Sequence, residues 1–297
     1  MIEKILVAVA GRGLCEEMLN MLLEIPALQQ ASVTVLHVVP PQITADAMSA
    51  KLEEGGKILA QAVKSINLDT TRITARLKQG EPKDVVLEIA EEEDSDLIIM
   101  GSRGLKRLEA ILENSVSQYV FQLSPRPMLL VKDDSYVKQI RRVMVAMDKS
   151  DSAQQSFKLA LSLVQNINGS ELFLVHVNPD SRKASGTTID ADSDPVLAAA
   201  AAEAKKRGIA YRCINTTGKA GEEICQLADE KNVDLLILGS PDRRPSIAKT
   251  LPDLDRLLGG SLSDYVRVYA NCPVLLARTI DWSLIRESGG YPFQPGQ

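Results

Sequence analysis

Short aliphatic runs alternate along this chain with segments whose apolar positions fall at helical spacing. Ile5 to Val9 has no polar interruption, which suits a parallel strand covered on both faces. After Gly11-Arg12-Gly13, the residues Leu14, Met18, Met21, Leu22 and Ile25 share one helical face, and Pro26 closes the pattern. Further strands are expected over Val33–Val39, Arg72–Leu77, Asp96–Met100 and Met128–Val131. Helices are expected over about 45–66, 82–93 and 115–123, the first loosened by Gly55-Gly56. Strands that alternate with helices predict an α/β sheet that is mostly parallel.

The polar stretch Lys132–Gln139 breaks this rhythm, and from Arg142 the order starts again. Strands are expected over Val143–Met147, Leu172–Val177, Ala210–Asn215, Leu235–Leu238 and Val274–Ala277. Phe157, Ala160, Leu161 and Val164 mark one helix, an alanine-rich run from Pro195 to Arg207 stops at Gly208, and a third helix covers 221–231. An acidic loop containing Gly and Ser is expected before Pro195. Gly80 and Gly218, Asp96 and Asp234, and Gly101 and Gly239 each lie 138 residues apart. Ser115 and Ser261, Tyr119 and Tyr265, and Pro127 and Pro273 lie 146 apart, so the second copy carries eight extra residues between Pro241 and Gly259. The chain reads as a tandem duplication, with domains at 1–137 and 138–280 and a tail at 281–297 holding Trp282, Tyr291 and Phe293.

Composition narrows the classes. Hydrophobic residues make up 45% and charged ones 25%, as in a globular protein. A net charge of −5 argues against a broad nucleic-acid footprint, which would be basic. No apolar run reaches the ~20 residues of a membrane span. The opening M-I-E-K-I-L-V-A-V-A reads as a buried strand rather than a leader, because Glu3 spoils a basic start. A cytoplasmic location is expected. Cys15, Cys213, Cys225 and Cys272 show no C-x-x-C pairing and no nearby His, so reduced, mostly buried thiols are expected and no metal.

The chemistry concentrates at Asp96–Ser117. An apolar strand stops at Gly101, Gly104 follows, and Asn114-Ser115 opens a helix-like segment. Strand, glycine loop and helix start form a common phosphate cradle. Gly11-x-Gly13 resembles the opening of a dinucleotide fingerprint, but the third glycine would fall at Glu16, a poor neighbour for pyrophosphate. No G-x-x-x-x-G-K-[ST] occurs, which removes the P-loop NTPases.

With Leu36-His37-Val38 and Val175-His176-Val177 ending the second strands, and loops running from Gly101-Ser102-Arg103-Gly104 to Asn114-Ser115 and from Gly239-Ser240-Pro241-Asp242 to Gly260-Ser261, the chain resembles a tandem universal stress protein over about residues 1–280. The resemblance implies two Rossmann-like domains, each an open parallel five-stranded sheet in order 3-2-1-4-5 with helices on both faces. Ligands of such sheets lie at the carboxyl ends, where the strand order reverses between the first and fourth strands. In ATP-binding members an Asp after the first strand contacts the nucleoside, backbone after the His holds adenine, and the glycine loop and Ser hold phosphates.

Carried over by position, the first site would use Val38, Gly101, Ser102, Gly104, Asn114 and Ser115, with Ala10 where the acid should be. The second would use Asp148, Val177, Gly239, Gly260 and Ser261, with Asp242 replacing the middle glycine and Arg243, Arg244 and Lys249 close by. Neither copy is complete. The implied ligand is ATP or another adenine nucleotide, with Mg²⁺ able to accompany it. The implied role is a stress-response sensor or regulator, with at most slow ATP hydrolysis because no general base or acidic metal motif is evident. The alternatives are a nucleotide-free interaction scaffold with an unknown protein partner and, more remotely, an enzyme of a related nucleotide-binding α/β group. His37 and His176 lack partners for a metal or catalytic role and are expected to be structural. The two halves are expected to pack through their fifth strands as an internal pseudo-dimer, which could dimerise again.

Overall fold

Parallel strands cluster here because their side chains are apolar on both faces. In the computed structural model, which describes residues 2–102, 116–132, 139–178, 187–189, 193–240 and 262–278, the first half folds in a regular sequence. It consists of β1 (Lys4–Ala8), α1 (Leu14–Leu23), β2 (Ser32–Val39), α2 (Ala45–Ser65), β3 (Ile73–Gln79), α3 (Pro82–Glu92), β4 (Leu97–Ser102), α4 (Val116–Leu123) and β5 (Met128–Lys132). The second half repeats it with β6 (Arg142–Met147), α5 (Asp151–Val164), β7 (Glu171–Asn178), β8 (Thr187–Ile189), α6 (Pro195–Lys206), β9 (Tyr211–Thr217), α7 (Ala220–Glu230), β10 (Leu235–Ser240), α8 (Leu262–Tyr269) and β11 (Val274–Arg278).

One 11-stranded sheet runs β3-β2-β1-β4-β5-β11-β10-β6-β7-β9-β8. Each half contributes the expected order 3-2-1-4-5, and its five strands are parallel. The second half departs in one respect. Part of the stretch read as an acidic loop forms β8, antiparallel to β9 through Thr187↔Asn215 and Ile189↔Cys213. It covers the outer edge of β9, whereas β3 ends the sheet at the other side.

Period-two alternation sorts the core into two layers. Ile5, Val7, Leu97, Ile99, Val143, Val145, Leu235 and Ile237 belong to one buried cluster together with Leu19 and Leu22 of α1 and Phe157 and Leu161 of α5. Leu6, Ile98, Met144, Leu236 and Leu276 belong to the other, with Ile89 of α3, Phe121 of α4, Ile224 of α7 and Val266 of α8. Both layers are continuous across the two halves.

The repeated residues have structural reasons. Asp96 Oδ2 accepts from the backbone of Glu3 at 2.8 Å and Lys4 at 3.0 Å, and Asp234 Oδ2 accepts likewise from Arg141 at 3.0 Å and Arg142 at 2.7 Å. Each carboxylate therefore ties the start of the fourth strand to the start of the first. Gly55 corrects an expectation, since α2 passes through it unbroken. A Cβ there would stand 2.8 Å from Val39 and 2.9 Å from His37, so this glycine lets the helix lie close on the sheet.

Between the halves, β5 and β11 pair antiparallel, with Leu129 opposite Leu275. Lys132 and Arg278 end these strands 146 residues apart. Lys132 is buried and its Nζ donates to the carbonyls of Val268 at 2.7 Å and of Ala270, capping the carboxyl end of α8. Arg278 is buried against the Phe121 ring of α4, 4.2 Å from its centroid.

Candidate functional site

The position predicted for a crevice by the strand order lies beyond the last β1–β4 pair, Ala8↔Met100, and beyond the last β6–β10 pair, Val145↔Ile237. In the first half β1 leads into Gly11 and Gly13, at φ of 76° and 79°, where side chains rarely follow. Gly13 N-caps α1 without offering a side-chain acceptor. Gly101, near the end of β4, is exposed, and the nearest atom to a Cβ built on it is Cys15 Sγ at 3.8 Å, an ordinary contact. Among the described residues no other atom comes within 4 Å of that Cβ.

The second half treats the same position differently. A Cβ on Gly239 would stand 2.4 Å from the carbonyl carbon and oxygen of Ser152 and 2.7 Å from the Ala153 nitrogen. The first turn of α5 therefore lies directly on β10. Here the glycine serves packing between helix and strand, and the space used by a ligand in a glycine cradle is taken by backbone.

The residues expected on the adenine side, Val38 and Val177, sit in matching places. Val38 lies past Leu36, whose carbonyl accepts from Val9 N at 2.9 Å, and Val177 lies past the Met147↔His176 pair. Both are half-buried against the same core layer. Their main chains thus extend beyond the pairing with the first strand of each half. Ala10 is exposed and carries no acceptor, whereas Asp148 is exposed with a carboxylate. Asp148 Oδ1 accepts from Ser150 N at 2.8 Å and from Ser150 Oγ, while Ser150 Oγ accepts from Ala153 N at 3.2 Å. The acid is thereby drawn into the helix-start turn of α5. Ser102 continues the β4 backbone opposite Lys132. Gly104, Asn114, Ser115, Gly260 and Ser261 lie outside the described residues, as do Asp242, Arg243, Arg244, Lys249 and the 281–297 tail.

The two histidines also diverge. His37 Nδ1 donates to the Val9 carbonyl at 2.9 Å and so closes off the end of β1. His176 Nδ1 is 2.8 Å from Asp194 Oδ2, which also accepts from Asn215 Nδ2, while Asp194 Oδ1 N-caps α6 through Val196 N at 2.8 Å. Asp194 is 3% exposed. Burial works against its charge, but the donors from His176, Val196 and Asn215 win and hold its carboxyl below the usual range. Sequence reasoning passed over Asp194, although Asp-Pro at 194–195 is a legible helix-start signal.

All four cysteines are free and buried. Among the described residues, no group of three or more His, Cys, Asp or Glu side chains is placed to hold a metal, and no helix is long and apolar enough to cross a membrane.

Known proteins share this arrangement. Universal stress protein YxiE of Bacillus subtilis is 30% identical over 148 residues, covering 44% of this chain and all of that protein. A universal stress protein of Methanothermobacter thermautotrophicus is 28% identical over 143 residues, 44% of this chain and 97% of that one. The crystal structure of a universal stress protein from Archaeoglobus fulgidus superposes with TM-score 0.71 at 22% identity, covering 93% of this chain and 96% of that one, a likeness of fold. The sequence model of the universal stress protein family matches twice, over residues 1–132 and 139–278, and the chain belongs to that family.

Proposed function

We propose that this chain is an adenine-nucleotide-binding stress protein whose first half holds the working crevice, while the second half serves as its structural partner. The observation that carries the division is the pair of matched glycines. Among the described residues nothing crowds Gly101, which supports approach of a ligand to main chain, whereas Gly239 is filled by the first turn of α5. Two further observations support it: Val38 extends past β1, and Asp148 is drawn into a local turn. The nucleotide acts as a stabilising ligand that shifts the population of one state, the behaviour of a sensor or regulator rather than of a fast enzyme. Any Mg²⁺ would arrive with the triphosphate, since no acidic cluster is placed to hold it among the described residues.

A scaffold that binds no nucleotide is the second reading, favoured for the 138–280 half by the closed Gly239 position. Calorimetry and thermal shift with ATP, ADP, AMP and a cyclic nucleotide separate the two. The expected result is stabilisation by at least one nucleotide, lost in Gly104→Asp and kept in Gly239→Asp if that variant folds. No response from the wild type to any nucleotide would favour the scaffold.

A further inference from the structure

The seam between the halves is symmetric in backbone but not in chemistry. Lys132 and Arg278 end the paired strands β5 and β11 at matching places. Phe121 of α4 and Arg267 of α8 match at the same 146-residue spacing. Arg278 lies over the Phe121 ring, an apolar surface whose π face suits a cation. Lys132 meets the other member of that pair, which is itself a cation. Its Nζ donates to the carbonyls of Val268 and Ala270, at the same carboxyl end of α8 that carries Arg267.

Arg267 is 4% exposed, and its Nε is buried without a hydrogen-bond partner. Among the described residues its guanidinium forms no ion pair and no hydrogen bond. Burial pushes it below its usual range, and Asp264, one turn earlier in α8, opposes this only in part. Burial also lowers the Lys132 ammonium. The Arg267 charge adds to that fall, while Cys225, Cys272 and Asp229 work against it. Asp229 is already engaged, accepting from Asn271 Nδ2 at 2.8 Å. An unpaired buried charge is costly, and a second of the same sign nearby raises the cost. The first half meets the packing at this position with a phenylalanine, so the fold itself has no need of a cation there.

We infer that Lys132 and Arg267 form a binding site for a phosphate-type oxyanion at the junction of the halves. A guanidinium fork beside an ammonium is a donor set well matched to such an anion. The anion supplies the negative charge that the buried pair lacks. It also ties the end of β5 in the first half to α8 in the second, so its binding stabilises the joined protein. This site does not depend on the nucleotide reading above.

Thermal melts of the full chain near neutral pH test it, with sodium phosphate exchanged for sodium chloride at constant ionic strength. Phosphate at about ten times its dissociation constant should raise the melting temperature by about 2–4 °C, and chloride should not. Arg267→Phe, which repeats the first-half residue, should melt as high as the wild type in chloride, or higher, and lose the phosphate rise. Where that variant fails to fold, Arg267→Met gives the same reading. Lys132→Met should weaken the rise, and Gly104→Asp should keep it. A wild type without a phosphate rise overturns the inference, as does a folded Arg267→Phe or Arg267→Met that retains it. A rise lost in Gly104→Asp but kept in the Arg267 variant would place the anion at the glycine loop and overturn it as well.

Discussion

Gly101 and Gly239 occupy the same place in two copies of one domain, yet among the described residues packing crowds Gly239 and leaves Gly101 uncrowded. The cause lies in how each first helix begins. In the second half Ser150 caps α5, Asp148 folds into that cap, and the first turn reaches β10. In the first half Gly13 caps α1 with no side-chain acceptor, and among the described residues the Cys15 sulfur is the nearest atom to a Cβ on Gly101, at 3.8 Å. Identical motif letters can therefore meet close packing in one copy and not in the other. The histidines repeat the lesson, since His37 bonds to backbone and His176 belongs to a buried polar network.

The glycine contrast can be broken most directly. Gly239→Ala should cost roughly 3 kcal/mol or more, because the new methyl meets backbone that cannot swing away, while Gly101→Ala should cost below about 1 kcal/mol. Equal losses in urea melts would contradict the assignment of α5 to the Gly239 space.

Asp194→Ala comes next, at about 2–3 kcal/mol, since it removes a helix cap and strands His176 and Asn215. His37→Leu should cost about 1 kcal/mol, one hydrogen bond to a carbonyl. Asp194 also gives the second half an acid limit. Its folded pKa lies below the unfolded one, so its contribution is complete above the unfolded value near 3.9 and fades as pH falls through the folded value. Asp194→Asn should weaken that acid dependence, and unchanged unfolding profiles below about pH 4 would argue against it.

Alkaline pH sharpens the contrast further. Burial pushes the Cys225 thiol up to about 11 and the Cys272 thiol up to about 12, both in the second half. The unfolded chain releases these protons from about pH 8.5 while the folded chain keeps them, so stability falls as pH rises. Lys132 acts in the opposite sense. Burial lowers its folded pKa, so the folded state loses that proton first and stability rises toward the unfolded value near 10.4. The two thiols lower stability as pH rises and the ammonium opposes them. The double variant Cys225→Ala/Cys272→Ala should turn that fall into a rise when melts at pH 7.5 and 10 are compared.

Lys132→Met is the smallest effect at neutral pH, within about 1 kcal/mol. Losing donors to Val268 and Ala270 is offset by no longer burying a charge. Its signature is the pH profile, which should fall more steeply above pH 8.5 than that of the wild type.

Much of the fold was legible because short-range signals agree with one another. Continuous aliphatic runs such as Ile5–Val9 specify buried parallel strands, and Gly208, at φ 68°, ends α6 as its identity predicts. The 138-residue repeat carried the reading of one half to the other. Strand β8 escaped because three residues, Thr187–Ile189, give no periodicity to detect, and they pair only because β9 offers a free edge. Gly55 misled for a related reason. Its value lies in three side chains from β2 and β3, far from it along the chain.

The sequence by itself determined a duplicated α/β chain, its strand order through the family it resembles, and the positions where a phosphate cradle could stand. Those follow from local spacing, which pattern and steric preference convert directly into elements. Only the tertiary structure decided that Gly239 is filled while no described residue crowds Gly101, that Asp148 turns onto Ser150, and that Glu16 is buried. Each depends on how closely a helix settles on a sheet, a distance fixed by packing among residues remote in sequence.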